Sequence, residues 1–383
     1  MPPNLGWDAQ RRQDPASASF IAGIRAEFKR DLPAYNGPAV TALADPRRFP
    51  APGSDPAVSL ASDWLDAAAP QGGSAHQQLV SWLRDRAAQG RDAQIAQSLR
   101  AATSPEIYRC LWGALIQAVS PGAGRDVAVR PFAFPLLIVT GGRAPANVAG
   151  ALPDIGRVRA VLEGSGILGQ VSDFGLGNAL CSLPALEAVP PSRHYALAQE
   201  IFPGALDLPP ADIVVTTGDE QVHLRFLLGA AVTPAYAPTF LETGSAIATW
   251  GMALTRELSE QLATQGLSVL PIPRPPATLL RAQELGRRAR EELAFQAFAS
   301  GALRRFRAEV GEPEVSVAAL DSGAIGVRFA SPFVENRAQV HQWVLHPLDD
   351  LEEIGASILG LLRECRIEGV AVLPGVLPAE AFR

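Results

Sequence analysis

Three polar residues alternate along one predicted strand, and their side chains could bind an anion together. Gln221, His223 and Arg225 alternate with the apolar residues at positions 222, 224, 226 and 228. Because successive side chains of a strand point to opposite faces, the three polar groups would share one face. An imidazole and a guanidinium placed in this way can bind a carboxylate or a phosphate. The competing interpretation is a solvated sheet face, where polar residues alternate by default.

Lysine is almost absent, and this absence excludes several kinds of chemistry. Lys29 is the only lysine among 33 Lys and Arg residues, and it lies in the charged segment Glu27–Asp31 of a predicted helix, Ser19–Arg30. A P-loop and a protein kinase each require a lysine that faces phosphates. A Schiff-base mechanism requires a desolvated lysine. None of these three classes is compatible with the sequence.

No motif for a cofactor or a metal stands out. The glycines of Thr140–Gly142 and Gly175–Gly177 lack the further glycine spacing of a dinucleotide fingerprint. The five histidines show no His-Glu-x-x-His pattern, and Cys110, Cys181 and Cys365 are too widely spaced for a zinc knuckle. We therefore expect no cofactor and no metal. A Cys–His pair that meets only in the fold is left open, since sequence alone cannot exclude it.

The charge pattern bears on nucleic acid as a partner. The chain has a net charge of −6, which argues against a dedicated nucleic-acid-binding protein. One exception is the segment Arg281–Arg307, which holds seven arginines against three glutamates. Such a helix could contact phosphates. A solvated face with pairing between residues three and four apart is the commoner structure, so we expect no nucleic-acid binding.

Membrane insertion is not indicated either. The longest apolar run, Phe132–Val139, is far shorter than the ~20 residues that span a bilayer. The N-terminus lacks the apolar core of a signal peptide, because Asp8, Arg11 and Arg12 interrupt it. These patterns predict a soluble, cytoplasmic protein.

The order of predicted elements indicates an α+β protein. Residues 1–75 form an irregular segment with one helix, and residues 76–125 form a helical region. Two α+β modules follow at 126–273 and 274–383, and a strand at 267–273 could belong to both. From Leu267 the order resembles βαββαβ, the ferredoxin-like arrangement, with one extra strand. Both modules end in Val-Leu-Pro, which suggests an internal duplication, although three residues can agree by chance.

These observations favour a non-catalytic protein that acts through oligomerisation or partner binding. The argument is one of elimination, together with the tendency of open sheets to pair at their edges. A homo-oligomer is the expected assembly. The first alternative is an enzyme or a small-anion sensor that uses Gln221, His223 and Arg225. The second is a nucleic-acid-associated protein that uses Arg281–Arg307.

Overall fold

The computed structural model describes most of the chain after its first fifty-four residues. The described ranges are 55–66, 73–120, 127–140, 147–169, 171–199, 212–214, 221–234, 247–272, 274–334, 337–349, 351–380 and 382. The predicted helix Ser19–Arg30 lies outside them. The described residues form two compact units, the first from 55–102 and 110–290 and the second from 103–109 and 291–382. Helices and strands occur in both units, which confirms a mixed α+β protein.

Within the described ranges, four helices precede the first sheet. They are α1 (Pro56–Asp66), α2 (Ser74–Ala88), α3 (Asp92–Arg100) and α4 (Pro105–Ala118). The start of α4 shows a common capping pattern, with Pro105 at the first helical position. Ser104 Oγ accepts a hydrogen bond of 3.3 Å from the backbone N–H of Ile107. That bond satisfies one of the N–H groups that a helix leaves unpaired at its start.

The sheet of the first unit is built around two long antiparallel strands. β1 (Val127–Thr140) and β6 (Gln221–Pro234) pair along their whole length. Shorter strands extend this pair in the order β3-β6-β1-β7, and β4 also pairs with β6. A separate two-stranded sheet joins β2 to β5. The short strands are β2 (Asn147–Ala149), β3 (Asp173–Leu176), β4 (Cys181–Ser182), β5 (Asp212–Val214) and β7 (Leu267–Val269).

Two prolines lie inside β1 without breaking it. Ala133 exchanges backbone hydrogen bonds of 2.9 and 3.1 Å with Ala277, so its N–H points away from β6. Pro131 and Pro135 have the same parity as Ala133, and their missing N–H groups therefore also face away from β6. Neither proline removes a bond from the β1–β6 ladder. Prolines within a strand usually indicate an edge position or a break, but β1 runs through both prolines because of this parity.

Helices cover both faces of this sheet. On one face, α5 (Ile155–Ser165) and α8 (Ile247–Leu262) pack against β1 and β6 in the largest apolar cluster of the first unit. The start of α5 is capped by Asp154, whose side chain accepts from the N–H of Arg157. On the other face, Leu224 and Phe226 lie against Gly286 of α9 (Leu279–Glu309). The short helices α6 (Leu183–Glu187) and α7 (Pro191–Gln199) complete the unit.

The second unit is one sheet packed against two helices. Its strands are β8 (Glu314–Leu320), β9 (Ala324–Ala330), β10 (Ala338–Val344) and β11 (Ala371–Leu377), in the order β10-β9-β8-β11. β8 and β9 form an antiparallel hairpin, with Gly323 of its turn at a φ of 73°. The C-terminal part of α9 and α10 (Leu351–Glu364) pack on one face.

Two features near the second module were left open by the sequence. β7 pairs with β1 of the first unit, and the second sheet consists of β8 to β11. A glycine such as Gly301 can interrupt a long helix, but α9 is continuous over 31 residues. A glycine inside a helix costs only about 1 kcal/mol relative to alanine, which the packing of a long helix readily offsets.

Candidate anion-binding cleft

The predicted polar row lies on β6, where the sheet is more enclosed than the sequence suggested. Arg225 is only 9% exposed and His223 is half-buried. Their partners on β1, Leu136 and Ile138, are fully buried. The expectation of an open, solvated face is therefore wrong for Arg225. The backbone of Gln221 pairs with Thr140, while its side chain lies outside the described part of the structure.

Burial dominates the electrostatics around Arg225. Burial, and then the neighbouring Arg225 guanidinium, lower the pKa of His223. Arg225 donates a hydrogen bond of 2.8 Å to the backbone carbonyl of Leu224. Burial also raises the pKa of Cys181 to about 11, although the charge of Arg225 acts in the opposite direction. Cys181 is therefore a neutral thiol at neutral pH and is not activated as a nucleophile.

Four of the seven arginines of the segment Arg281–Arg307 contact identified side chains. Arg281 and Arg287 form ion pairs with Glu284 and Glu187. In the second unit, Arg305 bonds to Gln339 and Arg307 to Glu312, each over 2.6 Å. Pairing of this kind is what a helix with a solvated charged face shows. It leaves less positive charge available for phosphates than the sequence count indicates.

A cleft in the first unit combines residues that are far apart in the sequence. Four polar residues line it: Ser120, Arg130, His194 and Thr278. The rest of its wall is apolar, formed by Ile116, Val119, Pro131, Ala198, Leu279 and Leu280. A mostly apolar wall with a few convergent polar groups is the usual composition of a small-molecule site. The cleft has a volume of about 40 Å³, or about 440 Å³ when the open space at its mouth is included.

The backbone pairing between β1 and Ala277 positions the cleft. The two hydrogen bonds between Ala133 and Ala277 hold the start of α9 beside β1. Thr278 comes next in the chain, and its carbonyl accepts the first helical hydrogen bond, from Ala282 over 2.8 Å. The first N–H groups of a helix have no acceptor within it and carry a partial positive charge. The cleft therefore contains the amino end of a 31-residue helix.

His194 brings a buried ring nitrogen to the cleft. Its helix, α7, is fixed at its start by Asp92, whose carboxylate accepts from the N–H and hydroxyl of Ser192 at 2.8 and 2.6 Å. The imidazole is 5% exposed and donates a hydrogen bond to the backbone carbonyl of Val189. Its Nε2 is buried and has no hydrogen-bond partner among the described residues. The nitrogen that donates to Val189 is therefore Nδ1.

The charge state of His194 follows from its burial. Burial lowers its pKa to about 4, although the bond to Val189 and the nearby Asp92 carboxylate both act to raise it. The ring is therefore neutral at neutral pH. With the proton on Nδ1, Nε2 carries a lone pair and acts as a hydrogen-bond acceptor.

Arg130 and Thr278 supply the remaining polar groups. Arg130 Nε donates to Thr233 Oγ1 over 2.8 Å, which orients the guanidinium. Burial lowers the pKa of Arg130, but a guanidinium remains charged at neutral pH. Thr278 Oγ1 is buried and has no partner within the described ranges. His194 and Thr278, each with a buried polar atom that lacks a partner within the described ranges, are thus among the residues that line the cleft together with Arg130.

Sequence reasoning did not identify this cleft. Arg130 and Thr278 are separated by more than a hundred residues, and no motif links them. The prolines at positions 271–276 indicate where α9 starts. They do not indicate which residues lie beside its amino end.

Neither other features of the described residues nor known proteins assign a role to this cleft. No helix in the described ranges is long and apolar enough to cross a membrane. Within the same ranges, no group of three or more His, Cys, Asp or Glu residues could hold a metal ion. Comparison with known proteins also gives no match, whether with family models, curated proteins or solved structures.

Proposed function

We propose that this protein binds a small monoanionic molecule in the cleft formed by β1, α4, α7 and the amino end of α9. The observation that carries the proposal is that Arg130 and the amino end of α9 line one cleft with Thr278, whose buried Oγ1 has no hydrogen-bond partner among the described residues. Buried polar atoms are ordinarily hydrogen-bonded, so an unpaired one at a cleft points to a missing partner. An anion would also interact favourably with the helix amino end.

Charge complementarity limits the ligand to a single negative charge. Arg130 is the only Lys or Arg among the described residues that line the cleft. A buried charge is tolerated when it is paired, which favours one negative charge over two beside a single guanidinium. The cleft volume of about 40 Å³ is small compared with the roughly 150 Å³ of a cavity that holds benzene. Only a compact head group fits inside, and a larger ligand would extend into the open mouth.

Titration calorimetry with formate, acetate and inorganic phosphate tests this function. We expect the carboxylates to bind and to raise the melting temperature. Arg130→Gln should weaken carboxylate binding about ten-fold or more, because it removes the charge-assisted hydrogen bond. The matched control is Arg256→Gln, which removes the same charge from an exposed position on α8 outside the cleft. Failure of all three anions to bind the parent protein would reject the proposal.

Self-association is the second candidate, and a feature of β10 favours it. β10 pairs with β9 on one side, and no described strand pairs with its other side. Its seven residues, Ala338–Val344, include neither a proline nor a charged residue other than a histidine. Edge strands usually carry such residues because an unprotected edge can pair with another chain. A homo-oligomer formed through β10 is therefore proposed beside the binding function.

The remaining sequence-based proposals have less support. Ligand binding by Gln221, His223 and Arg225 stays a prediction, but the burial of Arg225 favours the cleft as the first site to test. Nucleic-acid binding through Arg281–Arg307 is disfavoured by the side-chain pairing of that helix. A duplicated βαββαβ module also remains a prediction, which the pairing of β7 with β1 does not favour.

A further inference from the structure

The two edges of the second sheet differ in how well they are protected from pairing. Among the described strands, β11 forms one edge, and it contains Pro374 and a register shift between Val372 and Val376. Both features interfere with the pairing of a further strand. β10 forms the other edge, and it pairs with β9 from Ala338 to Val344 without a register shift. Of these two edges, β10 is therefore the one that another strand can extend.

Exposed apolar side chains are concentrated beside β10. Eight large apolar side chains are exposed among the described residues, and three of these are Phe333, Val334 and Val344. Phe333 is 80% exposed and lies in the turn before β10. Ser331 Oγ fixes this turn, because it accepts from the backbone N–H groups of Phe333 and Val334 at 3.1 and 3.0 Å. Exposed apolar groups that lie together are typical of a surface that another protein covers.

The direction of the backbone groups limits the registers in which two copies of β10 can pair. The N–H of Leu345 donates to the carbonyl of Gly323, so odd-numbered residues of β10 bond to β9. Even-numbered residues present their N–H and C=O groups outward. In an antiparallel pair of identical strands, even-numbered residues must then oppose even-numbered residues. Among these registers, the one that places Ala338 opposite Val344 pairs all seven residues of each strand.

We propose that two copies of this chain pair antiparallel through β10, with Ala338 opposite Val344 of the partner subunit and His341 at the two-fold axis. This inference rests on the proposed self-association, for which it names the register. A second copy is the favoured occupant because one uncharged strand then supplies both halves of a closed interface. The exposed Val344 side chain would contact Ala338 of the partner subunit on the same face of the joined sheet.

Neither charge nor the helix beside β10 opposes this pairing. Burial lowers the pKa of His341, so the two rings that meet at the axis are neutral at neutral pH. α9 contacts both outer strands, with 5.5 Å between the ring centroids of Phe298 and Phe329 and 6.0 Å between those of Phe295 and Trp343. A helix above two strands lies about half a strand spacing inside the edge. Two copies of α9 would then lie about 10 Å apart, which is an ordinary distance between packed helices.

Disulfide formation between two variants, Ala338→Cys and Val344→Cys, tests the register. The variants are purified separately, mixed in equal amounts and mildly oxidised. The Cα atoms of directly opposite residues would be about 5.5 Å apart, within the range that a disulfide spans. The mixture should therefore give a covalent dimer with one chain of each variant. Each variant alone should give none, because the same position in the two copies would be about 20 Å apart. The parent protein, with its three cysteines, is the control for oxidation.

Hydrogen exchange of the parent protein provides a measurement that needs no variant. Dilution that dissociates the dimer should speed the exchange of β10 amides about ten-fold or more, because the outward N–H groups lose their hydrogen bonds. The amides of β11, at the other edge of the sheet, should exchange at the same rate at every concentration.

The outcomes separate the register from the self-association on which it rests. If the parent protein is monomeric at micromolar concentrations, self-association is wrong and the register with it. If the protein associates while β10 exchanges at the same rate at every concentration, the interface lies elsewhere and the inference is overturned. If β10 is protected but the mixed variants form no disulfide, or each variant forms one alone, the strands pair in another register.

Discussion

At the scale of single residues, the fold places several ionisable groups where water cannot reach them. Burial lowers the pKa of His194 and of Arg225 and raises the pKa of Glu284, so in each case it favours the neutral form of the group. Glu284 accepts from the indole of Trp112 and forms an ion pair with Arg281. The pairing compensates for its burial. His194 differs, because its Nε2 has no compensating partner among the described residues.

This difference makes a prediction about stability and pH. The pKa of His194 is about 4 in the folded protein and ordinarily 6.5. The unfolded chain therefore binds a proton between these two values, whereas the folded protein does not. Its contribution to stability is complete above about pH 6.5 and is lost as the pH falls toward about 4, by an amount on the order of 3 kcal/mol. Urea unfolding at a series of pH values measures this loss.

The comparison with His194→Asn isolates the residue. The pKa values of His223 and His341 are also lowered by burial, so the parent protein's pH dependence has several sources. The variant should retain those contributions and lose less stability than the parent over the same pH interval. Identical pH dependence of the two proteins would contradict the assignment.

At this scale, sequence reasoning identified alternation correctly and burial incorrectly. The alternation at His223 and Arg225 follows from strand geometry, which is local. Whether a strand face is open depends on which helices pack on it, and those helices are distant in the sequence. The same limitation explains why Arg130, His194 and Thr278 were not predicted as a group. Each is an ordinary polar residue until the fold brings them to one cleft.

At the scale of elements, close approach between strands constrains β6 most strongly at Gly229. A Cβ atom built there would lie 2.7 Å from the carbonyl oxygen of Gly175 on β3 and would overlap the ring of Phe132. Neither group can move easily, because Gly175 belongs to a paired strand and Phe132 is fully buried. Gly229→Ala should therefore destabilise the protein by about 3 kcal/mol, as measured by chemical unfolding.

Gly301→Ala provides a control with the same chemical change. Gly301 lies inside α9, and the nearest described atom to its added Cβ would be the guanidinium of Arg305 at 3.9 Å. Alanine is the better helix former, so this variant should be more stable by about 0.5–1 kcal/mol. Similar effects at the two glycines would show that the crowding at Gly229 relaxes without cost.

The residue types at caps and turns indicate where helices and strands end, but they do not indicate which strands pair. Ser104, Asp154 and Gly323 each occupy the position that their residue type favours, because caps and tight turns involve only neighbouring residues. Strand pairing is non-local. The pairing of β5 with β2, and of β7 with β1, joins segments whose sequences carry no mark of their partners.

At the scale of the whole molecule, the mixed α+β class followed from the alternation of helical and strand periods. The division into units does not follow from that alternation, because the strands of one sheet need not be consecutive in the chain. β7 illustrates this, since it precedes α9 directly and yet belongs to the first sheet. An order of elements is therefore compatible with several sheets, and only pairing distinguishes among them.

The last prediction concerns assembly through the edge of β10. The backbone N–H of Ser331 donates to the carbonyl of Arg337, and the N–H of Leu345 donates to the carbonyl of Gly323. The backbone groups of the odd-numbered residues of β10 therefore point toward β9. The backbone N–H of Gln342 consequently points outward from the sheet. Gln342→Pro removes this donor without removing a bond to β9, and edge positions of this kind tolerate proline.

Light scattering should give the parent protein a mass of at least twice the 40.4 kDa of one chain. Gln342→Pro should shift the mass toward the monomer, because pairing between edges requires the outward N–H groups. Gln342→Ala keeps the N–H and should remain associated, which separates a backbone effect from the loss of the side chain. A parent protein that stays monomeric at micromolar concentrations would exclude assembly through β10, and an oligomer unaffected by Gln342→Pro would place the interface elsewhere.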